Sequence, residues 1–149
     1  MKTYAVCPIS DKRINERVAR LNGFFTVSLV ILYIFTHQWL IPAFLVVDFL
    51  LRSISLSRFS PMGYLSRNIL NLLSIKKLFI NAGPKIFAAR IGFVISCSIL
   101  IASIIGLNLL ALILACILGL FSFLEAAFGF CVACEIYPYV YKMLYKDQQ

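Results

Sequence analysis

Acidic residues and histidine are scarce in this chain, and the shortage excludes most familiar hydrolytic chemistry. The 149 residues include six Asp and Glu and one histidine, against 14 Lys and Arg. The sequence offers no Ser/His/Asp set with its partners on one side of the molecule, and no HExxH zinc motif. A phosphate-binding glycine loop is also absent, which removes the usual nucleotide-binding signature.

Charge is missing altogether from long stretches of the sequence. No residue is charged from Leu21 to Val47, and the only charge from Ile91 to Cys134 is Glu125. Hydrophobic residues make up 62% of the chain and the mean hydropathy is +0.94, which leaves too little polar surface to cover a soluble globule. We therefore predict that the whole chain, residues 1–149, is a single integral membrane domain in a lipid bilayer. No apolar core precedes Leu21, so no removable signal peptide is predicted.

The positions of the basic residues predict how the chain crosses the bilayer, because cytoplasmic segments of membrane proteins carry an excess of Lys and Arg. If each apolar stretch crossed once, two heavily basic segments would face opposite sides. Two helical hairpins put all 14 basic residues on one side. We therefore predict an all-α, integral membrane four-helix bundle with both termini in the cytoplasm. The predicted spans lie near residues 22–35, 39–55, 87–105 and 108–130.

An amphipathic helix is predicted between the hairpins, near residues 61–80. Ser60-Pro61 is typical of a helix start, because the hydroxyl group can cap the helix and proline is tolerated in its first turn. After Pro61, apolar residues recur at helical spacing and polar residues form a stripe beside them. This pattern fits an interfacial helix on the cytoplasmic leaflet, and equally a helix packed across the inner face of the bundle. The net charge of +8 favours contact with anionic lipid headgroups. No nucleic-acid motif is present, so no nucleic-acid partner is expected.

Two carboxylates fall within the predicted spans, where an unpaired charge is costly. Asp48 and Arg52 are four residues apart, so one helical face brings them together as a structural ion pair. Glu125 and Arg90 are predicted at similar depth, and an ion pair between them is the simplest arrangement. The alternative is that Glu125 moves protons to and from nearby thiols.

The candidate reactive residues are Cys131 and Cys134, a CxxC pair at the end of the last apolar run. Two thiols one helical turn apart can form a disulfide, share a metal or pass on a sulfur atom. The predicted topology places Cys7 on the same side, while Cys97 and Cys116 fall within spans and are interpreted as packing residues. The cytoplasm is reducing, so only a transient disulfide or a persulfide is expected.

The reactivity of Cys131 depends on where the fourth span ends. If Cys131 ends that helix, the negative end of the helix dipole raises the pKa of its thiol. If the chain breaks at Gly129 and a new helix begins with Cys131, the dipole lowers that pKa. The sequence leaves both arrangements open. A zinc site is a further alternative, although carboxylates are uncommon in closed zinc sites. Its ligands would be Cys7, Cys131, Cys134 and Glu135.

Three motifs spread over nearly the whole chain carry a resemblance to a known family. They are Cys7-Pro8 with Asn15, Arg20 and Asn22, then Gly83-Pro84-Lys85-Ile86-Phe87-Ala88-Ala89-Arg90-Ile91-Gly92, and Gly129-Phe130-Cys131-Val132-Ala133-Cys134-Glu135-Ile136-Tyr137. Together they resemble a family of small bacterial four-span membrane proteins of unknown function, whose members end in a Gly-Phe-Cys-x-x-Cys-x-x-Tyr motif. Where that family has Arg before Phe-Ala, this chain has Ile86, with Lys85 beside it. The resemblance implies a protein of the bacterial cytoplasmic membrane.

A looser resemblance, at the level of fold alone, is to four-helix membrane modules of the DoxX and vitamin K epoxide reductase kind. Those modules couple thiol or sulfur chemistry to quinone. The resemblance therefore implies quinone as a possible cofactor here, and we would place it among Phe121, Phe123 and Phe128.

The hypothesis from the sequence is a membrane-embedded thiol redox or sulfur-transfer module. In it Cys131 reacts first and Cys134 resolves the intermediate. Cys7 acts as a third thiol or accepts sulfur, and Glu125 handles protons. A soluble thioredoxin-like or sulfurtransferase protein is the expected partner, and a homo-oligomer is compatible with the sequence. The alternatives are a non-catalytic membrane anchor or scaffold with a structural or metal-binding cysteine cluster, and a transporter of a small sulfur species or metal ion.

Overall fold

The computed structural model describes residues 13–54, 59–74, 76 and 79–144, and most of these residues are helical. The elements are β1 Arg13–Asn15, α1 Glu16–Thr36, α2 Leu40–Ser53, α3 Pro61–Leu72, β2 Phe79–Asn81, α4 Gly83–Ile105, α5 Asn108–Phe128 and α6 Val132–Leu144. Three helices, α1, α4 and α5, are long and apolar enough to cross a membrane. They indicate a membrane protein, as predicted. Helix α2 has 14 residues, fewer than the about 20 of a typical span.

The helices α1, α2, α4 and α5 pack as a bundle in which α1 contacts α2 and α5, and α4 contacts the same two helices. Glycine permits a close approach of α1 and α5, since a Cβ atom at Gly23 would lie 2.9 Å from the backbone oxygen of Ser122. At the interface of α2 and α4, the ring of Phe49 occupies the space that a Cβ atom at Gly92 would need. Large apolar side chains such as Phe35 cover much of the outer surface, as expected for contact with lipid.

A short sheet shows that α1 and α4 begin at the same end of the bundle. Strands β1 and β2 pair antiparallel with Ile14 opposite Ile80, and each strand leads directly into its helix. Helix α3 lies at this end as well, because the hydroxyl group of Ser66 donates a hydrogen bond of 2.7 Å to the buried side chain of Asn22 on α1. We call this region, formed by β1, β2, α3 and α6, the capped end. The sheet was not predicted, because neither strand has a distinctive pattern of its own.

Asp48 joins α2 to the start of α3 and is completely buried. Its carboxylate accepts hydrogen bonds from the hydroxyl group of Ser60, at 2.5 Å, and from the backbone N–H of Met62, at 3.3 Å. The Nη1 atom of Arg52 lies 3.5 Å from the other carboxylate oxygen. The contact expected from the four-residue spacing is therefore present. The carboxylate also anchors the positive end of α3, which the sequence did not predict.

Helix α3 ends at Leu72, well before the predicted end near residue 80. Ser74 has a left-handed backbone with a φ of 50°, which stops the helix, and the residues that follow include strand β2. The buried residues of α3 are Met62, Gly63, Ser66 and Leu70. One side of α3 is therefore buried against the rest of the protein, as in the predicted arrangement in which the helix packs across the inner face of the bundle.

Candidate functional site

The turn between α5 and α6 places Cys131 at the start of a new helix. Helix α5 ends at Phe128, and Gly129 follows with a φ of +67°, a left-handed conformation that favours glycine. The backbone carbonyl of Cys131 accepts hydrogen bonds from the N–H groups of Cys134 and Glu135, at 3.0 and 3.2 Å. Of the two arrangements that the sequence left open, the chain adopts the one with a break at Gly129.

The two thiols of the CxxC pair share a hydrogen bond that shifts their pKa values in opposite directions. A hydrogen bond from the side chain of Cys134 contributes most to lowering the pKa of Cys131, to about 7. The backbone N–H of Cys134 and the charge of Lys85 lower it further, while burial and Glu125 oppose them. The same side-chain hydrogen bond, together with burial, raises the pKa of Cys134. Cys131 is therefore the thiolate near neutral pH, and Cys134 stays protonated.

An ion pair between Lys85 and Glu125 lies beside these thiols. Their Nζ and Oε1 atoms are 2.5 Å apart, and the two side chains are only 11% and 14% exposed. The structure therefore pairs Glu125 with Lys85 in place of the expected Arg90, which is exposed. Five residues correspond to a rotation of about 140° around α4, so Arg90 and Lys85 face different directions. Lys85 was missed as a site residue, although it stands next to the position where the resembling family has Arg.

A cavity of about 480 Å³ lies at the capped end, between the four bundle helices. Residues of α3, α6 and both strands also contribute to its wall. Cys131, Lys85 and Glu125 line one part of it, and most of the remaining wall is apolar. Cys131 therefore faces a space large enough for a small-molecule ligand.

The other predicted site residues do not converge on this cavity as a group. Phe121 lines it, whereas Phe123 and Phe128 are 51% and 70% exposed, so these three rings do not form one quinone site. Cys97 is half-buried on α4 and Cys116 is exposed on α5. Cys7 lies outside the described residues. Within the part of the chain that the structure describes, no three His, Cys, Asp or Glu side chains group as metal ligands.

These observations define a helical membrane-type protein with a dithiol at the start of a short helix, next to an ion pair and an apolar cavity. Residues 14–142 match the family model described as a domain of unknown function, DUF4395, and the chain belongs to that family. The match agrees with the resemblance to a family of unknown function. No curated protein and no solved structure matches the chain, so the looser likeness to DoxX and vitamin K epoxide reductase has no support from a match.

Proposed function

We propose that this protein is a membrane-embedded thiol redox or sulfur-transfer module whose first nucleophile is Cys131. The observation that carries the proposal is the position of this thiol at the start of α6, on the wall of a cavity, with its pKa lowered to about 7. A packing cysteine needs neither the lowered pKa nor the adjacent space. Cys134, one helical turn later and protonated, is suited to resolve an intermediate.

In the redox reaction the Cys131 thiolate attacks a substrate disulfide, whose S–S bond breaks to release one thiolate and leave a mixed disulfide. Cys134 then loses its proton and attacks the sulfur of Cys131, which releases the second substrate thiolate. The substrate gains two electrons, and the protein is left with a Cys131–Cys134 disulfide, which a dithiol partner of the thioredoxin kind reduces. In sulfur transfer, the Cys131 thiolate takes the outer sulfur of a persulfide and the donor leaves as a thiolate.

The pair of Lys85 and Glu125 is suited to proton handling in the redox reaction. Both side chains are charge partners of both cysteines. In the proposal, the Glu125 carboxylate receives the proton that Cys134 loses, and Lys85 stabilises the thiolate of Cys131. This retains the role expected of Glu125 and adds Lys85 to the site.

Trapping of the mixed disulfide tests the proposed chemistry. In a Cys7→Ser background, we expect the Cys134→Ser variant to accumulate a 1:1 adduct at Cys131 when incubated with oxidised glutathione, because both thiols proposed to react with Cys131 are then absent. The wild-type protein should form a Cys131–Cys134 disulfide and release both glutathione thiols. Intact mass and peptide mapping separate these products. A matched Cys116→Ser control, at an exposed position on α5, should behave as wild type. Thiols that fail to react in the folded protein would favour the non-catalytic anchor.

The proposal includes four membrane crossings with the capped end in the cytoplasm. Support comes from α1 and α4, which begin at the same end of the bundle, so the chain between them must come back to that end. Helix α2 follows α1 after a short turn and is the element that can make this return. The basic residues lie outside the long apolar stretches, and Trp39 is 54% exposed at the opposite end of the bundle, where an interfacial indole is favoured. Helix α2 would cross as the shortest of the four.

Labelling from each side of the membrane checks this orientation. In a Cys7→Ser background, a membrane-impermeant maleimide should label Cys131 in inverted vesicles and leave it unlabelled in intact spheroplasts. A cysteine introduced by Gln38→Cys, in the turn at the other end of the bundle, is the matched control and should give the reverse pattern. Labelling of both positions from the same side would contradict the four-crossing arrangement.

A further inference from the structure

We infer that the cavity next to Cys131 binds an uncharged, apolar molecule, and that the disulfide attacked by Cys131 belongs to this class. The binding site follows from the size, the wall and the charge balance of the cavity. The identity of the substrate rests in addition on the thiol chemistry proposed above, and the experiments below separate the two.

The cavity is large enough for a small molecule that extends from Cys131 into the bundle. Protein interiors leave few voids larger than a water molecule, whereas small-molecule sites measure about 300 to 1,000 Å³. The 480 Å³ found here falls within that range, and most of the wall is apolar. On α4, the lining residue Ile95 is ten residues beyond Lys85, or about 15 Å along the helix. On α5, Leu118 and Glu125 line it seven residues apart, or about 10 Å.

The ionisable groups around the cavity balance in charge once Cys131 is ionised. Those that line the cavity in the described part of the chain are Arg52, Arg67, Lys85, Glu125 and Cys131. Asp48, buried next to Arg52, adds its negative charge to those of Glu125 and the thiolate. Three negative charges then face three cations, so the wall has no excess of either sign to attract a charged ligand.

Polar groups of the wall are also engaged with the protein itself. The ion pairs described above engage Lys85 and Arg52, and Arg67 also takes part in an interaction within the chain. The side chain of Asn22, another lining residue, accepts the hydrogen bond from Ser66. A ligand of either sign would bury a charge without a counter-ion, which is costly. An uncharged apolar ligand avoids that cost and gains free energy from burying its own surface.

A dialkyl disulfide is uncharged and apolar, and it contains the bond that Cys131 attacks. The thiolate of Cys131 displaces one alkanethiolate, which takes a proton from water, and a mixed disulfide remains with its alkyl chain in the cavity. Cys134 then gives its proton to Glu125, attacks the sulfur of Cys131 and releases the second alkanethiolate. The substrate gains two electrons, and the dithiol partner named above reduces the protein again.

The rate of adduct formation at Cys131 tests the charge of the substrate. The protein is the full chain with Cys7→Ser and Cys134→Ser, in phosphatidylcholine nanodiscs. The probes are di-n-butyl disulfide, dithiodibutyrate with two carboxylates, and bis(aminobutyl) disulfide with two ammonium groups, which share the S–S bond and the chain length. We expect the uncharged disulfide to react at least tenfold faster than either charged one, because only the charged probes must bury an unbalanced charge.

Two pairs of variants in this background separate the cavity from partition of the probe into lipid. Leu118→Trp fills the cavity and should remove the preference, while Leu120→Trp, at a 57% exposed position on the same helix, should retain it. Ile95→Phe and Val94→Phe make the same comparison on α4, where Ile95 lines the cavity and Val94 is 62% exposed. Partition into lipid alone would give the same preference in both members of a pair.

A non-reactive analogue measures binding apart from chemistry. Radiolabelled di-n-butyl sulfide has no S–S bond, and its binding should exceed that of protein-free nanodiscs in Leu120→Trp but not in Leu118→Trp. Absence of this excess, equal rates for the three disulfides, or an equal preference within each pair would overturn the inference. An adduct with oxidised glutathione would in those cases still support the thiol chemistry. Binding of the sulfide to a protein whose thiols prove inert would sustain the apolar site and reject the redox proposal together with the substrate assignment.

Discussion

Replacing Cys134 with alanine should raise the pH midpoint for alkylation of Cys131 from about 7 to the ordinary thiol value of 9.0 or above it. The hydrogen bond from the side chain of Cys134 is the largest contribution that lowers the pKa of Cys131, and alanine removes it. Burial and the charge of Glu125, which raise the pKa, then outweigh the backbone N–H of residue 134 and the charge of Lys85, so the midpoint should reach the ordinary value or exceed it. A shift of two units would reduce the thiolate fraction at pH 7 from about one half to about one in 100.

The measurement is the initial rate of iodoacetamide labelling at Cys131, by peptide mass spectrometry, from about pH 5 to pH 10. Because the pKa is lowered, the rate in the wild-type protein should increase as the pH rises through 7 and then level off. The midpoint is the criterion, since the more basic thiolate of the variant is intrinsically more nucleophilic and partly offsets the loss of rate at pH 7. Cys116→Ala serves as the control. A wild-type midpoint near 9, or the same midpoint in both proteins, would refute the proposed activation.

Removing one partner of the ion pair between Lys85 and Glu125 should destabilise the bundle strongly. The Lys85→Met variant leaves a largely buried carboxylate without its cation, and breaking such a pair costs about 3 to 5 kcal/mol of unfolding free energy. Glu125→Gln leaves the ammonium group in the same position and should also destabilise. The double variant Lys85→Met with Glu125→Gln should recover much of the loss, because no buried charge then lacks its partner.

A double-mutant cycle in mixed micelles measures this coupling by reversible unfolding with sodium dodecyl sulfate. Arg90→Met removes an exposed cation from the same helix and should change stability by less than about 0.5 kcal/mol. The two single variants should also move the pKa of Cys131 in opposite directions, upward for Lys85→Met and downward for Glu125→Gln. Additive effects on stability would show that Lys85 and Glu125 are not coupled. Shifts of the Cys131 pKa with the same sign in both single variants would show that the pair does not act on the thiol as proposed.

The residues of the candidate site differ in how far they could be predicted. Cys131 and Cys134 were identified by their spacing and by their position at the end of an apolar run, and Asp48 and Arg52 by their separation of one helical turn. Lys85 could not be identified as the partner of Glu125, because the two residues are 40 positions apart and meet only through the packing of α4 against α5. The same limit applies to the pairing of β1 with β2 and to the contact of Ser66 with Asn22, which join distant segments.

By itself the sequence determined the mostly helical, membrane-type character of this protein, because that character follows from composition and from the spacing of charges along the chain. It also indicated a position at which α5 can end, because Gly129 is suited to the left-handed turn that precedes Cys131. Tertiary structure alone decided that Cys131 faces a cavity and that Lys85 neutralises Glu125. The physical reason is that cavities and ion pairs depend on how several helices pack, and no local pattern specifies those distances.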